Sequence, residues 1–534
     1  MPTDPRAPCI VGVATRTWHP PASGEPDAPE PLDMWEHVAR EAARDSEGGS
    51  DGALTARLDS VDVVYSQTCQ YDDPAGRLSQ RLGASPLRLH YSGIGGTTPH
   101  LLLAGAAERI LAGGTDVALV TGGEALATKR SYKKSGERPE YSFPPAEKPA
   151  FPWEAPFNPA EVAHEVFQAW LTFAVFDNAR RAHLGTDLGT YRAQIGRMLA
   201  PMTTVAASNP DAWFRTERSA DAIVSPTATN RMVGYPYTKY MVAVMDVDMA
   251  AAVILTSHEA ADDLGIDADR RVYLRGWCHA TDPVPVAEHA EMWRSPAMVA
   301  SSAEAMRPAD VDIDDVAHVD LYSCFASSLH FARDALDISA DDPRPLTVTG
   351  GLPYHGGPGS NYVTHSIAAM ARTLRDDPGS FGLVSAVGMH MTKHAYALYS
   401  TEPGAVSVPD EIGVQRDLDT QPRPKIVHEH AGAATVAAYS VVHGRDGSPE
   451  WGLLVCDIEG GDIAEEDDTH TRCYARLEDP DELVAAEESE LVGCTVTLTP
   501  ERRDGPAGPQ MVNRAVLRGP ARGRPGGSTG RTAG

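Results

Sequence analysis

Apolar residues fall along this chain in short blocks whose lengths and boundaries predict alternating helices and strands. Between Gly95 and Glu124 a glycine-rich loop leads into Leu101–Leu111, a stretch that is apolar almost all round. Thr98 reads as its N-cap and Pro99 as its first helical residue, and Gly113-Gly114 ends it. Val117 to Val120 then reads as a buried strand running into Gly122-Gly123. A helix without a polar face belongs between layers, inside a domain. The same order returns in the second half of the chain. Gly350-Gly351 and Gly356-Gly357-Pro358-Gly359 form the loop, Ser360 or Asn361 caps a helix through Ile367, Met370 and Leu374, and Phe381 to Val384 is the strand closing on Gly388. Two copies of loop, helix and strand predict a duplicated α/β unit. Residues 131–245 between them are irregular and rich in proline and aromatics (Tyr141, Phe143, Phe151, Trp153, Phe157), with helical periodicity from Ala160 to Ala182. They read as an insertion carrying binding determinants. Ala251 to Thr256 returns to the first sheet. After Glu402, Pro403, Pro409, Pro422 and Pro424 mark a linker, and the alternating segments Ala434–Val442, Trp451–Cys456 and Thr495–Leu498 predict a small β-rich domain. The expected organisation is a first half over 1–270, a second over 271–405, a β-rich domain over 424–517 and a disordered Gly/Arg/Pro tail over 518–534.

Composition narrows the function. The 534 residues carry 42% hydrophobic and 22% charged residues, which describes a globular chain of two or three domains. A formal net charge of −28 repels nucleic acids and anionic membranes, so neither is expected as the main partner. Met1 is followed by Pro2, Asp4 and Pro5, without the features of a signal peptide, and no apolar run is long enough to span a bilayer. The seven cysteines are widely spread and lack a CxxC pair, which suits reduced thiols in a cytoplasmic protein and no disulfide frame or zinc site. The glycine loops have neither the Lys-Ser/Thr ending of a P-loop nor the spacing of a dinucleotide fingerprint, so no NAD or ATP is indicated. The histidines show no metal-ligand spacing.

Several strings carry a resemblance. They are Ile94-Gly-Gly-Thr-Thr-Pro-His100, Asn230-Arg-Met-Val-Gly-Tyr-Pro-Tyr237, Asp320-Leu-Tyr-Ser-Cys-Phe325, Thr349-Gly-Gly-Leu352 with Gly356-Gly-Pro358, and Thr392-Lys-His394. In order and spacing the chain resembles the thiolase superfamily from about residue 8 to 405, and more closely the mycobacterial group called thiolase-like protein type 1. The additional small β-barrel domain of that group matches roughly 424–517. The resemblance implies a five-layered αβαβα fold from two similar halves, with a site where helix N-termini converge. It also implies an activity on acyl-CoA thioesters.

The family's side chains can be sought one by one. Where a thiolase places its nucleophilic cysteine, at the start of the first buried helix, this chain has Gly95-Gly96-Thr97-Thr98. Thr97 or Ser92 are the available substitutes, although a threonine opening a helix is more often a cap. In the second loop, Asn-Glu-Ala-Phe or His-Asp-Cys-Phe in the family, this chain reads Tyr322-Ser323-Cys324-Phe325. Cys324 thus falls on a family cysteine and Tyr322 on its histidine. The third loop, Gly-His-Pro in the family, is Gly356-Gly357-Pro358, with His355 two positions before the histidine slot. The last loop, Cys-x-Gly, is Ala386-Val387-Gly388: Gly388 can still lend its N–H to an oxyanion, but the proton-carrying cysteine is gone. His390, Lys393 and His394 follow.

The expectation is therefore an acyl-CoA-binding protein, nominally an acetyl-CoA acetyltransferase, whose chemistry is weakened or altered and centred on Cys324 and His355. Gly96, Thr97, Tyr322, Gly357, Gly388 and His394 are its expected oxyanion or substrate contacts. CoA thioester is the ligand, and no further cofactor or metal is expected. The alternative is a non-catalytic scaffold or subunit of a lipid or acyl-CoA complex, with a protein partner recruited by the C-terminal domain. A third reading, a single-strand nucleic-acid-binding barrel, is disfavoured by the acidic density of residues 457–490.

Overall fold

The computed structural model describes residues 3–21, 24–46, 53–152, 157–458, 470–505 and 508–518. Trp153, residues 459–469 of the acidic stretch and the tail from 519 lie outside these. The first half runs β1 (Pro8–Thr17), α1 (Pro31–Asp45), β2 (Ser60–Val63), α2 (Pro74–Leu82), β3 (Arg88–Tyr91), α3 (Thr98–Leu111) and β4 (Val117–Ala125). An intervening segment carries α4 (Leu126–Ser135), α5 (Pro159–Ala163), α6 (Ala169–His183), α7 (Leu188–Ser208), α8 (Ala220–Val224), β5 (Met232–Gly234) and β6 (Tyr237–Thr238). After β7 (Asp248–Ser257) and α9 (His258–Asp263), the second half follows as β8 (Val272–Thr281), α10 (Pro296–Met306), β9 (Val316–Asp320), α11 (Ala326–Ala335), α12 (Tyr362–Asp376), β10 (Phe381–Gly388) and β11 (Lys393–Ser400). Beyond α13 (Glu411–Asp419) come β12 (Lys425–Ile426), β13 (Gly432–His443), β14 (Pro449–Ile458), β15 (Thr471–Leu477), α14 (Pro480–Glu488), β16 (Thr495–Gly505) and β17 (Gly508–Leu517).

Nine strands join in the order β3-β2-β4-β7-β1-β8-β11-β10-β9. The join is a seam, since β1 and β8 pair only at Cys9–Tyr273 and Ile10–Val272. On each side of it the same pattern appears: β2 parallel to β4, then β7 and β1 antiparallel, matched by β9 parallel to β10, then β11 and β8 antiparallel. The duplication extends to single residues. A side-chain carbon on Gly12 of β1 would lie 2.0 Å from the Ala42 carbonyl oxygen of α1, and one on Gly276 of β8 would lie 2.2 Å from the Ala305 carbonyl oxygen of α10. Each outer helix is thus drawn onto its half-sheet through a glycine. α3 and α12 pack against each other and against strands of both half-sheets, while α1 and α10 cover the outer faces, giving five layers αβαβα.

Three details differ from the sequence expectation. Thr97, not Thr98, is the N-cap of α3, and its side chain caps nothing; Thr98 and Pro99 are the first helical residues. The insertion is more helical than its prolines suggest, because α7 runs 21 residues through Pro201. The expected linker contains α13, which is docked: Glu411 Oε1 accepts the His279 N–H at 2.7 Å and Gln415 Oε1 accepts the Thr281 N–H at 2.8 Å.

In the C-terminal region β13, β14, β15, β17 and β16 close a five-stranded barrel, since β16 pairs back onto β13. The barrel is joined to the insertion: β5 pairs with β13, Asn178 of α6 donates to the Tyr439 carbonyl at 2.9 Å, and Tyr474 donates to the buried Glu161 carboxylate at 2.8 Å.

Candidate functional site

Short loops at the ends of the middle-layer helices are stitched together by backbone bonds. The Gly95 N–H donates to Ser360 Oγ at 3.0 Å, linking the α3 loop to the α12 loop. The Ala243 N–H donates to the Cys324 carbonyl at 3.0 Å, the Leu352 N–H to Ser323 Oγ at 3.0 Å, and the Gly357 N–H to the Val244 carbonyl at 2.8 Å. The Gly357 amide is therefore consumed by the fold and cannot serve as an oxyanion donor; here the expectation fails.

Four of the expected residues come together at the start of α3. A side-chain carbon on Gly96 would stand 2.6 Å from the Tyr322 hydroxyl and 2.1 Å from the Val387 carbonyl oxygen, so only glycine fits. One on Gly388 would lie 3.5 Å from the Gly96 nitrogen, 3.5 Å from Thr97 Oγ1 and 3.6 Å from Lys393 Cβ. The Gly96 and Thr97 amides have no hydrogen-bond partner among the described residues, as first amides of a helix commonly do not. Burial raises the Tyr322 pKa, and the nearby Cys324 adds to this, so the phenol stays a neutral donor. Its own N–H is fixed to Ser385 Oγ at 2.8 Å. The arrangement is a cradle of N–H and O–H groups suited to a carbonyl oxygen acquiring negative charge.

Cys324 and His355 do not form a reacting pair. Cys324 is 8% exposed, and burial pushes its thiol up to about 12 against the weaker pull of its Ser328 hydrogen bond. A nucleophilic cysteine needs the opposite shift. His355 is buried, with Nδ1 3.2 Å from the Gly356 carbonyl oxygen and its ring packed edge-on against His365 and Tyr362; burial lowers its pKa. No hydrogen bond joins the two residues. Ser92 is committed to the Tyr65 N–H and the Gly93 carbonyl.

His394 is turned away from the cradle. Its Nε2 lies 3.1 Å from Asp282 Oδ2 and 3.1 Å from the Met391 carbonyl oxygen. That carbonyl belongs to an unusual stretch of backbone: Met389, His390 and Met391 have φ of 45°, 54° and 66°. Three successive side-chain-bearing residues in the left-handed region cost about 1–2 kcal/mol each, so the surroundings must impose the turn. Thr392 does so through its N–H to the Gly388 carbonyl at 3.2 Å and its hydroxyl to the Met389 carbonyl at 2.5 Å, and the His394–Asp282 pair does so from below. The turn presents His390, whose Nδ1 lies 3.0 Å from Thr172 Oγ1 of α6 and whose ring meets Phe157 edge-on at 5.4 Å. Burial holds its pKa down to about 4, leaving a neutral imidazole at physiological pH. Sequence reading names His390 without a role, and nothing in sequence signals its partner on α6.

Two cavities lie away from this cradle. One of about 590 Å³ is lined by Arg130, Lys134 and Trp213 among others, and one of about 340 Å³ by Glu30, Tyr132 and Tyr141 among others. Among the described residues no three His, Cys, Asp or Glu side chains are placed to hold a metal ion, and no helix is long and apolar enough to cross a membrane.

Two duplicated halves in five layers, with loops converging on the first turn of a buried helix, define the thiolase fold, and comparison with solved structures agrees. The human mitochondrial 3-ketoacyl-CoA thiolase in complex with CoA is 15% identical, covers 74% of this chain and 99% of its own, and superposes with a TM-score of 0.52. The Ltp2–ChsH2(DUF35) aldolase is 16% identical over 75% of this chain and 98% of that one, with a TM-score of 0.53. At these identities the likeness is of fold alone. The monomeric SCP2-thiolase-like protein type 1 of Mycobacterium smegmatis is 31% identical over 97% of this chain and 100% of that chain, with a TM-score of 0.81. This chain belongs to that family of SCP2-thiolase-like proteins, within the thiolase superfamily. No family model matches the chain, and neither does any curated protein.

Proposed function

We propose that this protein binds an acyl-CoA-type thioester at the start of α3 and does not form an acyl-cysteine on it. The observation that supports this most is the pair of unpartnered amides at Gly96 and Thr97, set beside Gly388 and the Tyr322 hydroxyl. A thioester carbonyl oxygen placed there would receive two helix-end N–H groups and a phenol, with favourable electrostatics from the helix dipole. The same geometry speaks against thiolysis through Cys324, because that thiol is protonated at neutral pH and lacks a base. That a thiolase of the same fold is solved with CoA makes CoA thioesters the ligand class to test.

The test is calorimetric titration of the purified chain with acetyl-CoA and longer acyl-CoAs, with free thiol release followed in the same samples. Binding without release, retained in Cys324→Ala, is the expected result. Release that disappears in Cys324→Ala would restore an acyltransferase on that cysteine. A second reading, a non-catalytic subunit, is favoured by the Tyr322 phenol lying across Gly96 and leaving little room for a substrate. No acyl-CoA binding, together with co-purification of a second protein, would put that reading first.

A further inference from the structure

Two cysteines of the barrel face each other. Cys456 of β14 and Cys473 of β15 are direct partners in the antiparallel ladder. Both are free thiols, both are fully buried, and both belong to the barrel core with Val436, Tyr439 and Leu498. The Cα atoms of directly opposed residues lie about 4.5–5.5 Å apart, inside the roughly 4.4–6.8 Å that a disulfide spans, so the two sulfurs can join without displacing either strand. No other two cysteines are ladder partners among the described residues: Cys9 faces Thr256 and Tyr273, and Cys278 faces Tyr396.

Their place in the barrel gives the pair a consequence. Only two rungs, Asp457–Arg472 and Ile458–Thr471, lie beyond it toward the end of the hairpin. Side chains alternate along a strand, so Cys473 points into the barrel core while Arg472 and Tyr474 point out of it, onto the thiolase halves and the insertion. Arg472 donates to the carbonyls of Ala287, His289 and Ala290, and to Asp457 Oδ1 at 2.7 Å. Tyr474 accepts the Ala287 N–H at 2.8 Å and donates to the Glu161 carboxylate at 2.8 Å. The strand that holds the barrel to the rest of the protein thus carries one thiol of the pair between two holding residues. In the closed ladder the facing Cys473 thiol, together with burial, keeps the Cys456 thiol protonated, and a protonated, buried thiol is slow to oxidise. The sulfurs become reactive when the two end rungs part, and such local opening costs less than unfolding the barrel.

We propose that Cys456 and Cys473 are an oxidisable dithiol, which a hydroperoxide converts to a disulfide that staples β14 to β15 between the residues holding the barrel in place. One sulfur attacks the peroxide, the O–O bond breaks, and a sulfenic acid and an alcohol form, the alcohol being water when the oxidant is hydrogen peroxide. The second sulfur then displaces the hydroxyl, the S–S bond forms and water leaves. The two thiols together lose two electrons, the peroxide gains them, and both thiol protons depart in the alcohol and the water. A dithiol reductant reverses the change by exchange.

The experiment treats the full chain with hydrogen peroxide, alkylates the remaining thiols in denaturant and identifies linked peptides by mass spectrometry without reduction. The expected product joins Cys456 to Cys473, lighter than the two separate thiol peptides by two hydrogens, and disappears with dithiothreitol. In the oxidised chain, amide exchange at Asp457 and Arg472 is expected to slow by about tenfold or more, and the melting temperature of the barrel to rise by about 5 °C or more. Cys473→Ala should abolish both oxidant-dependent changes; should that variant fail to fold, the wild-type linkage and its reversal still decide. Recovery of Cys456 and Cys473 as thiols after peroxide has consumed the more exposed Cys69 and Cys494 overturns the proposal and leaves the pair as core packing. Linkage of either to Cys69 or Cys494 instead also overturns it. A Cys456–Cys473 link without slower exchange on β14 and β15 overturns the stapling.

Discussion

The two helices of the middle layer begin alike and are put to different uses. Neither α3 nor α12 has a side-chain cap. Each buries a histidine near its start, His100 and His365, whose ring nitrogens have no partner among the described residues. At α3 the amides of Gly96 and Thr97 stay open beside Gly388 and Tyr322. Around the start of α12 several polar groups are spent on the protein itself, although Asn361 Nδ2 and the Tyr362 and Val363 N–H groups have no partner among the described residues. Ser360 Oγ takes the Gly95 N–H, the Asn361 N–H goes to the Pro358 carbonyl, and Asn361 Oδ1 accepts the Thr364 hydroxyl at 2.7 Å. Gly359 packs on the carboxylate of Glu124. A duplicated architecture has kept symmetry where it packs and given it up where it could bind, so one helix end is a candidate receptor and the other its foundation.

If that division holds, the largest effect on stability belongs to the α12 side. Glu124 is buried and accepts Ser66 Oγ, Thr68 Oγ1 and the amides of Gln67 and Thr68 at 2.6–2.9 Å. Glu124→Ala leaves those donors unsatisfied and is expected to lower unfolding free energy by about 3–5 kcal/mol in urea titration. The fraction that remains folded should bind acetyl-CoA as before. Normal stability with binding abolished would reverse the roles of the two ends.

The next effect belongs to α3. Gly96→Val drives a branched side chain into the Val387 carbonyl and the Tyr322 phenol; overpacking of this kind costs about 1–3 kcal/mol. Here binding should suffer more than folding, with acetyl-CoA affinity down by more than tenfold in calorimetry. Equal loss of binding from a comparable overpacking at Gly382, where a carbon would meet Met370 of α12 at 2.3 Å, would show that any core strain abolishes the site.

The buried histidines test what the two ends share. Burial lowers His100 to about 3, against an ordinary value of 6.5, and lowers His365 well below that value. Between those limits the unfolded chain takes up protons that the folded one refuses, so stability is lost as pH falls below about 6.5. Each such histidine contributes a slope of about 1.4 kcal/mol per pH unit. His100→Leu should flatten the decline between pH 6 and 4 by that amount in urea titrations at successive pH values. An unchanged slope would mean that His100 is already charged in the fold, with a partner outside the described residues.

Much of this asymmetry was open to sequence reading, but unevenly. The two loop–helix–strand blocks were legible because glycine clusters punctuate both, and the first helix, apolar almost all round, demands a middle layer. The convergence of Gly96, Thr97, Tyr322 and Gly388 followed from resemblance alone, since these residues are remote in sequence and meet only through the sheet order. Cys324 and His355 were expected at the centre of the chemistry because the resemblance puts these two reactive side chains on site loops, and their burial and separate hydrogen bonds withdraw them from it. His394 looked like a ligand and is a brace beneath a strained turn. That turn could not be read at all: Met389-His390-Met391 has no glycine to announce a positive φ, and Thr172 reaches His390 from the insertion, on a helix whose periodicity says only that it is partly buried. Local signals reveal elements, whereas the site depends on contacts between segments whose order along the chain carries no trace of them.

The smallest effect is the sharpest discriminator. Tyr322 stands where the family places a histidine or asparagine, and its hydroxyl faces Gly96. If the phenol donates to a bound carbonyl, Tyr322→Phe removes one hydrogen bond and little volume, so acetyl-CoA affinity should fall by about five- to tenfold, roughly 1 kcal/mol. The melting temperature should barely move, because the ring still packs edge-on against Tyr362 at 5.7 Å. The thioether S-ethyl-CoA has the same length and no carbonyl, so wild type and variant should bind it equally. Tighter binding of both compounds to Tyr322→Phe would instead identify the hydroxyl as an obstruction across the mouth of α3. The open amides at Gly96 and Thr97 would then be unused in the resting protein, and the two helix ends would differ only in which of them is plugged.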